Sequence, residues 1–465
     1  MTYSGHITGT GARWLGWLAC ALLALPAAAV DSNWLRNTTV QRTAEYVRID
    51  TVNPPGDTAA AVDFLADALI REGISFETVD TGAGRVNLWA RLPAASQVRR
   101  TPAILLLHHM DTPPASAEQW VHPPLSGEVT DDRIHGRGSL ANKSLGAMHL
   151  QSFIALHRSG VPLQRDVIFM ATVGQEDGGQ GGLAWLVEHY PEVFSNVGFV
   201  LTGGGFGIQG DEATLFHVEV GAKAPLWLQL RAHEMMGINT AAERLLDGLQ
   251  RLRSHEFDLE VTPPIANYFS ALAPHQPESW RAGFADIATA IEDDTFRAEL
   301  RAAYPSYYDL LQSSCGISSI TVGPGRGVNG QVEARVNCHL PMHQNPQQTI
   351  EEIRTVFDGL DIEVDTLLSY PSGMSSTDTS VYRALASALE GSGQSRHAVP
   401  AISVQSGNNH FLRERGIEVY GVSPLVISAD ELDSLTGQDE SVSRTDLRAG
   451  VLLMYELLHS LARTP

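Results

Sequence analysis

The chain has 465 residues, room for about two to four domains, and its 43% hydrophobic, 18% charged and 7% aromatic residues make an ordinary globular composition. Lys and Arg number 32 against 53 Asp and Glu, a net charge of −21 that repels phosphate backbones and anionic lipid and argues against nucleic acid as a partner. Three cysteines cannot staple a chain of this size, so core burial must hold it.

Arg13 precedes an apolar run over 14–25 that is too short to span a bilayer and ends in Pro26-Ala27-Ala28-Ala29. The pattern predicts a signal peptide over 1–29, cut after Ala29, and an exported protein, periplasmic or secreted, with no further membrane span. An uncleaved anchor is the bland alternative. Cys20 lies in a poor context for lipoprotein cleavage, with Trp17 three places before it.

Next comes an amphipathic helix over 33–48, a turn enforced by Asn53-Pro54-Pro55-Gly56, and a second helix with Val62, Leu65, Leu69 and Ile70 on one face. Buried-strand runs at 104–107, 167–172 and 199–201 alternate with helical stretches near 143–157 and 182–189. Strands alternating with helices predict an α/β domain over 30–221, its chemistry gathered at the carboxyl ends of the strands. From Ala222 to 370 the order strand 226–231, helix 241–253, hairpin 317–340, helix 349–357 and strand 362–366 is β-α-β-β-α-β, the ferredoxin-like α+β pattern, with a helical insert of about 60 residues. Residues 371–465 are expected to rejoin the first domain. A hairpin centred near Arg326-Gly327 sets Cys315 opposite Cys338, either as a disulfide or as two small buried thiols.

The most specific text is Leu105-Leu106-Leu107-His108-His109-Met110-Asp111-Thr112, followed by Trp120-Val121-His122-Pro123-Pro124-Leu125 and His135-Gly136-Arg137-Gly138-Ser139. An imidazole two residues from a carboxylate at a strand end is a metal-site pattern, because the Asp can orient the ring. With Asn53-Pro54-Pro55-Gly56 and the segment 167–188, these stretches resemble the peptidase M20 family, di-zinc hydrolases that include glutamate carboxypeptidases, aminoacylases and succinyl-diaminopimelate desuccinylases. The resemblance runs from about Tyr46 to the C-terminus and fits the longer, exported members best. It implies a zinc-exopeptidase-like α/β domain interrupted by a smaller lid or dimerisation domain. It also implies two zinc ions sharing a carboxylate and a water, with a Glu taking the proton from that water as it attacks an amide.

Several of the positions that the resemblance assigns to this chemistry hold other residues here. His109 and Asp111 are in place, and Glu176 stands at a ligand position. Ala141 takes the place of the bridging Asp, Gln175 that of the general base, Gly203 that of an acidic ligand and Thr436 that of the last His. A Gln amide accepts no proton from water at ordinary pH. On the substrate side Gly237-Ile238 replaces a Gly-His pair, Arg326 an Asn and His339 an Arg, while Asn408 and His410 lie where Thr-Asp precedes an aromatic pair. A register slip would let Asp177 or Asp439 act as a ligand.

The resulting expectation is an M20 homologue that has lost di-zinc hydrolysis. It would bind a small peptide or N-acyl-amino acid between its domains, or pair through the lid as a homodimer or heteromer, with no tightly bound cofactor. The alternative is an active exported carboxypeptidase or aminoacylase with a rearranged or mononuclear zinc site. Trp185 and Trp227 are read as packing, and Met235-Met236 as filling the approach to the small-domain surface.

Overall fold

A computed structural model describes residues 30–96, 101–210, 213–233, 240–323, 331–342, 344–391, 395–435 and 437–463. The leader 1–29, Met235-Met236, Gly237-Ile238, Arg326 and Thr436 lie outside the described residues.

Eight strands form one large sheet in the order Phe76–Asp80, Val86–Leu92, Val167–Thr172, Ala103–His109, Val197–Gln209, Glu418–Ile427, Thr214–Ala222, Arg396–Ser403. Ala103–His109 runs parallel to both of its neighbours, and its seven residues Ala-Ile-Leu-Leu-Leu-His-His are buried up to the final imidazole. A strand buried on both faces reads as a continuous apolar run rather than an alternating one, which is why this segment stands out in the sequence. The helices Ser32–Val47, Lys143–Ser159 and Arg444–Arg463 pack together over the sheet and share its main core. In the helix Ala59–Arg71, Val62, Leu65 and Leu69 are buried as the spacing predicts, but Ile70 is exposed, because it lies one 100° step round from Leu69.

The second sheet has the order Ser314–Val322, Gln331–Leu340, Ala224–His233, Glu363–Ser369, all antiparallel, with the helices Ala241–Ser254 and Pro346–Val356 joining their core to it. Numbered along the chain this is 2-3-1-4, the strand order of a ferredoxin-like fold. In the hairpin Cys315 stands opposite Cys338, and the two form a disulfide.

The helical insert differs from expectation in its packing. It lies within the small unit in sequence, yet Ile265, Phe269 and Leu272 share a core with Val399, Ala401 and Ile402 of the strand Arg396–Ser403. That strand is the edge of the large sheet, and a helical cover protects it from pairing with other chains.

Candidate functional site

The carboxyl ends of Ala103–His109 and Val167–Thr172 lie side by side, with His109 in register with Thr172. Beyond them the chain enters two loops, Met110–Thr112 and the glycine-rich 174–182, in which Gly174, Gly178, Gly179 and Gly181 all have positive φ. Such a loop bends sharply enough to return its backbone N–H groups toward the strand ends.

Asp111 is fully buried at the centre. It accepts from Asn53 Nδ2 (3.0 Å), from the Gln175 N–H (3.2 Å) and from the Glu176 N–H (3.1 Å). Burial works to raise its pKa, but these donors and the nearby His109 hold the carboxyl below its ordinary value. His109 Nδ1 lies 2.9 Å from the Asp111 carbonyl oxygen. A carbonyl can only accept, so Nδ1 carries a proton, and Nε2 has a lone pair only while the ring is neutral. Burial tends to discharge this imidazole, yet its bond to the Asp111 carboxylate and the charges of Asp111 and Glu176 raise its pKa overall. Burial pushes the Glu176 carboxyl up to about 7.

The remaining positions are occupied differently. Ala141 N–H, with the N–H groups of Gly138 and Leu140, donates to the buried carboxylate of Glu440 at 2.7–3.0 Å, and Arg137 adds a bond at 3.2 Å. A Cβ placed on Gly203 would meet the Asn142 amide nitrogen at 2.1 Å, so the space of a side chain at 203 is filled from across the site. Asp177 is turned away to Arg85 at 2.7 Å, and Asp439 accepts from the Val121 N–H at 2.7 Å. Glu219 lies close by, its Oε2 2.8 Å from a Cβ on Gly204, but Asn409 (3.1 Å) and Arg413 (3.5 Å) hold it. Among the described residues no group of three or more His, Cys, Asp or Glu side chains is arranged to hold a metal ion. Structural and catalytic zinc sites use at least three protein donors, so the described residues do not by themselves fit a two-zinc centre.

The small sheet rests on this loop. A Cβ on Gly178 would lie 3.1 Å from Leu368 and 3.4 Å from Trp227, and His339 Nδ1 accepts from the Ser406 N–H at 3.1 Å. Burial and the neighbouring Lys223 push the His339 pKa down to about 4, so at neutral pH it is an uncharged acceptor rather than a cation for a carboxylate. Asn408 Nδ2 donates to the Gly174 carbonyl at 3.3 Å. His410 stacks on Tyr370 with ring centroids 3.4 Å apart, its pKa also lowered to about 4 by burial. The Gln175 amide faces Gly407, 3.6 Å from the position of its Cβ. Trp185 stacks on His189 at 4.2 Å, a packing role. His109, Asp111, Gln175 and Glu176 are therefore gathered at one place, with His339, Asn408 and His410 along the seam between the two sheets.

Three residues that shape the site were not singled out from sequence. Glu440 is the acid at the end of Thr436-Gly437-Gln438-Asp439-Glu440, Asn53 opens the Pro-Pro-Gly turn, and Glu219 interrupts the apolar strand pattern of Val218 and Val220. A lone acid between two valines of a buried strand is the signal that could have found Glu219.

An eight-stranded mixed sheet with polar groups at its strand ends and a ferredoxin-like unit across them is the architecture of a two-part metallopeptidase-type hydrolase. The profile of peptidase family M20/M25/M40 matches residues 105–460, and the chain belongs to that family. Aminoacylase-1 of Sus scrofa is 29% identical over 208 residues, 43% of this chain and 50% of that protein, so the match spans half the length of this relative. The N-fatty-acyl-amino acid synthase/hydrolase PM20D1 of Xenopus tropicalis is 24% identical over 379 residues, 77% of this chain and 72% of that protein. Human carnosine dipeptidase 1 shares the fold, with a TM-score of 0.68 at 17% identity over 93% of this chain and 97% of that one.

Proposed function

We propose that this M20-family chain, exported by the leader 1–29, binds a small peptide or N-acyl-amino acid at the seam between its two units without hydrolysing it by the two-zinc route. The units on this reading are 30–221 with 371–465, and 222–370. The observation that carries the proposal is the Asn142 amide standing where a side chain at 203 would extend, because a lost ligand position that has been refilled is no longer a metal position. Ala141 beside it offers no side-chain ligand for a metal, and Gln175 offers no base. Pairing through the small sheet is part of the same reading: Ile317, Ile320 and Val322 are exposed on its edge strand Ser314–Val322, a surface suited to a second copy or an active relative.

A second reading, an active carboxypeptidase or aminoacylase with a rearranged or single-metal site, is favoured by one observation. His109 is held through Nδ1, which leaves Nε2 to supply a lone pair when the ring is neutral, and the nearby Glu176 carboxyl titrates at about 7, a value suited to proton transfer. Metal analysis of the purified mature protein, with aminoacylase and dipeptidase assays in added zinc, separates the two. The first reading predicts well under one zinc per chain and no chelator-sensitive turnover. Two tightly held zinc ions with turnover abolished by a chelator overturn it. In the combined variant Ala141→Asp, Gln175→Glu, Gly203→Glu, Thr436→His, with Asn142→Gly to clear the 203 position, zinc binding is expected to return before activity.

A further inference from the structure

Glu219 is an acid in the middle of an apolar strand. It lies on Thr214–Ala222 between the buried Val218 and Val220 and is itself only 8% exposed. A carboxylate so placed is costly unless hydrogen-bond donors compensate it. Here both donors reach the same oxygen, Oε1, from Asn409 Nδ2 at 3.1 Å and from Arg413 at 3.5 Å. Arg413 is also shared, its other bonds going to Ser375 Oγ at 3.2 Å and to the Val419 carbonyl at 3.1 Å. Oε2 has no hydrogen-bond partner among the described residues. Burial accordingly outweighs Arg413 and Asn409 and holds the carboxyl pKa above its ordinary value.

The unpaired oxygen faces a glycine. A Cβ on Gly204 would lie 2.8 Å from Oε2, and Gly204 is exposed, so the missing side chain leaves the carboxylate open to approach. Gly203, the residue before it, adjoins the Asn142 amide at the strand ends. Asn409 follows Asn408, which donates to the Gly174 carbonyl at the start of the loop that carries Gln175. Oε2 therefore stands at the border of the candidate site, where a bound molecule can supply the donor that the protein does not. The strongest match to a carboxylate short of a cation is an ammonium, because hydrogen bonds between charged partners are roughly twice as strong as neutral ones. A peptide with a free N-terminus carries that group, and an N-acyl-amino acid lacks it.

We infer, on the reading that a small ligand binds at the seam, that Glu219 receives the N-terminal ammonium of a bound peptide and so selects unblocked peptides over N-acyl-amino acids. The test is isothermal titration calorimetry of the intact protein with L-alanyl-L-leucine and N-propionyl-L-leucine, which differ only in the ammonium group, in EDTA to prevent metal-dependent turnover. The dipeptide is expected to bind at least about tenfold more tightly. Its advantage should shrink as pH rises past about 8, where an α-amino group loses its proton. Glu219→Gln keeps the size and an acceptor for Asn409; it should weaken the dipeptide about tenfold and leave the propionyl compound within about twofold. A purely structural role for Glu219 would weaken both alike. N-propionyl-L-lysine offers its ammonium from a side chain and should show no gain that depends on Glu219. Thermal unfolding checks the variant, and if it is not folded Glu219→Asp, which withdraws the charge by one methylene, is expected to give the same pattern in smaller measure. Equal affinity for the dipeptide and the propionyl compound, an advantage that survives the substitution, equal weakening of both ligands, or a Glu219-dependent gain for propionyl-lysine overturns the inference and leaves the seam as a binding site. Saturable binding of none of the three overturns both.

Discussion

Glu440 concentrates the polar bonding under the site in one side chain. Its carboxylate serves three backbone N–H groups and Arg137, with both members of that ion pair buried. Truncating one partner of a buried pair leaves the other charge uncompensated, so Glu440→Ala should cost about 3–5 kcal/mol in urea unfolding. Glu440→Gln, which keeps acceptor capacity, should cost less. The Asn142 amide makes a second residue-level prediction. Gly203→Glu alone has to displace that amide from its buried position, whereas Gly203→Glu with Asn142→Gly does not. The single variant is therefore expected to unfold at the lower temperature in differential scanning calorimetry. Which residues could be read from sequence follows from the range of their contacts. His109 and Asp111 were found because they end an apolar strand, a local pattern, whereas the filling of the 203 position by Asn142 joins two segments remote in the chain and leaves no trace in either.

The helix Lys143–Ser159 is the element whose composition fits its surroundings least. His149, Gln151 and Ser152 are fully buried in it, and neither nitrogen of His149 has a partner among the described residues. Burial lowers the His149 pKa to about 3. The unfolded chain takes up a proton near pH 6.5 that the native state refuses until about 3, so this residue subtracts stability as pH falls through that interval. The replacement His149→Leu should flatten the acid limb of the stability curve by up to a few kcal/mol, read as the pH dependence of the urea midpoint, and leave stability at pH 8 equal or higher. Periodicity predicted this helix within two residues of its end, and predicted the strands and the ferredoxin-like order, because local apolar spacing sets each of them. It did not predict that the insert would pack on Arg396–Ser403, since an edge that needs covering is a property of the assembled sheet.

At the scale of the whole molecule the two sheets are stabilised differently. The large sheet has the main core, while the small one rests on a more modest core and the Cys315–Cys338 link across 23 residues. Closing a loop of that length removes about 3 kcal/mol of chain entropy from the unfolded state. Cys315→Ser with Cys338→Ser, or thiol reduction, should therefore loosen the small sheet first, seen as faster amide exchange in Gln331–Leu340 than in Ala103–His109. The contact of Trp227 and Leu368 with Gly178, together with the His339–Ser406 bond, has a kinetic consequence. If a molecule reaches the strand ends only when these contacts part, its observed association rate should level off at high concentration, at the frequency with which the two halves separate.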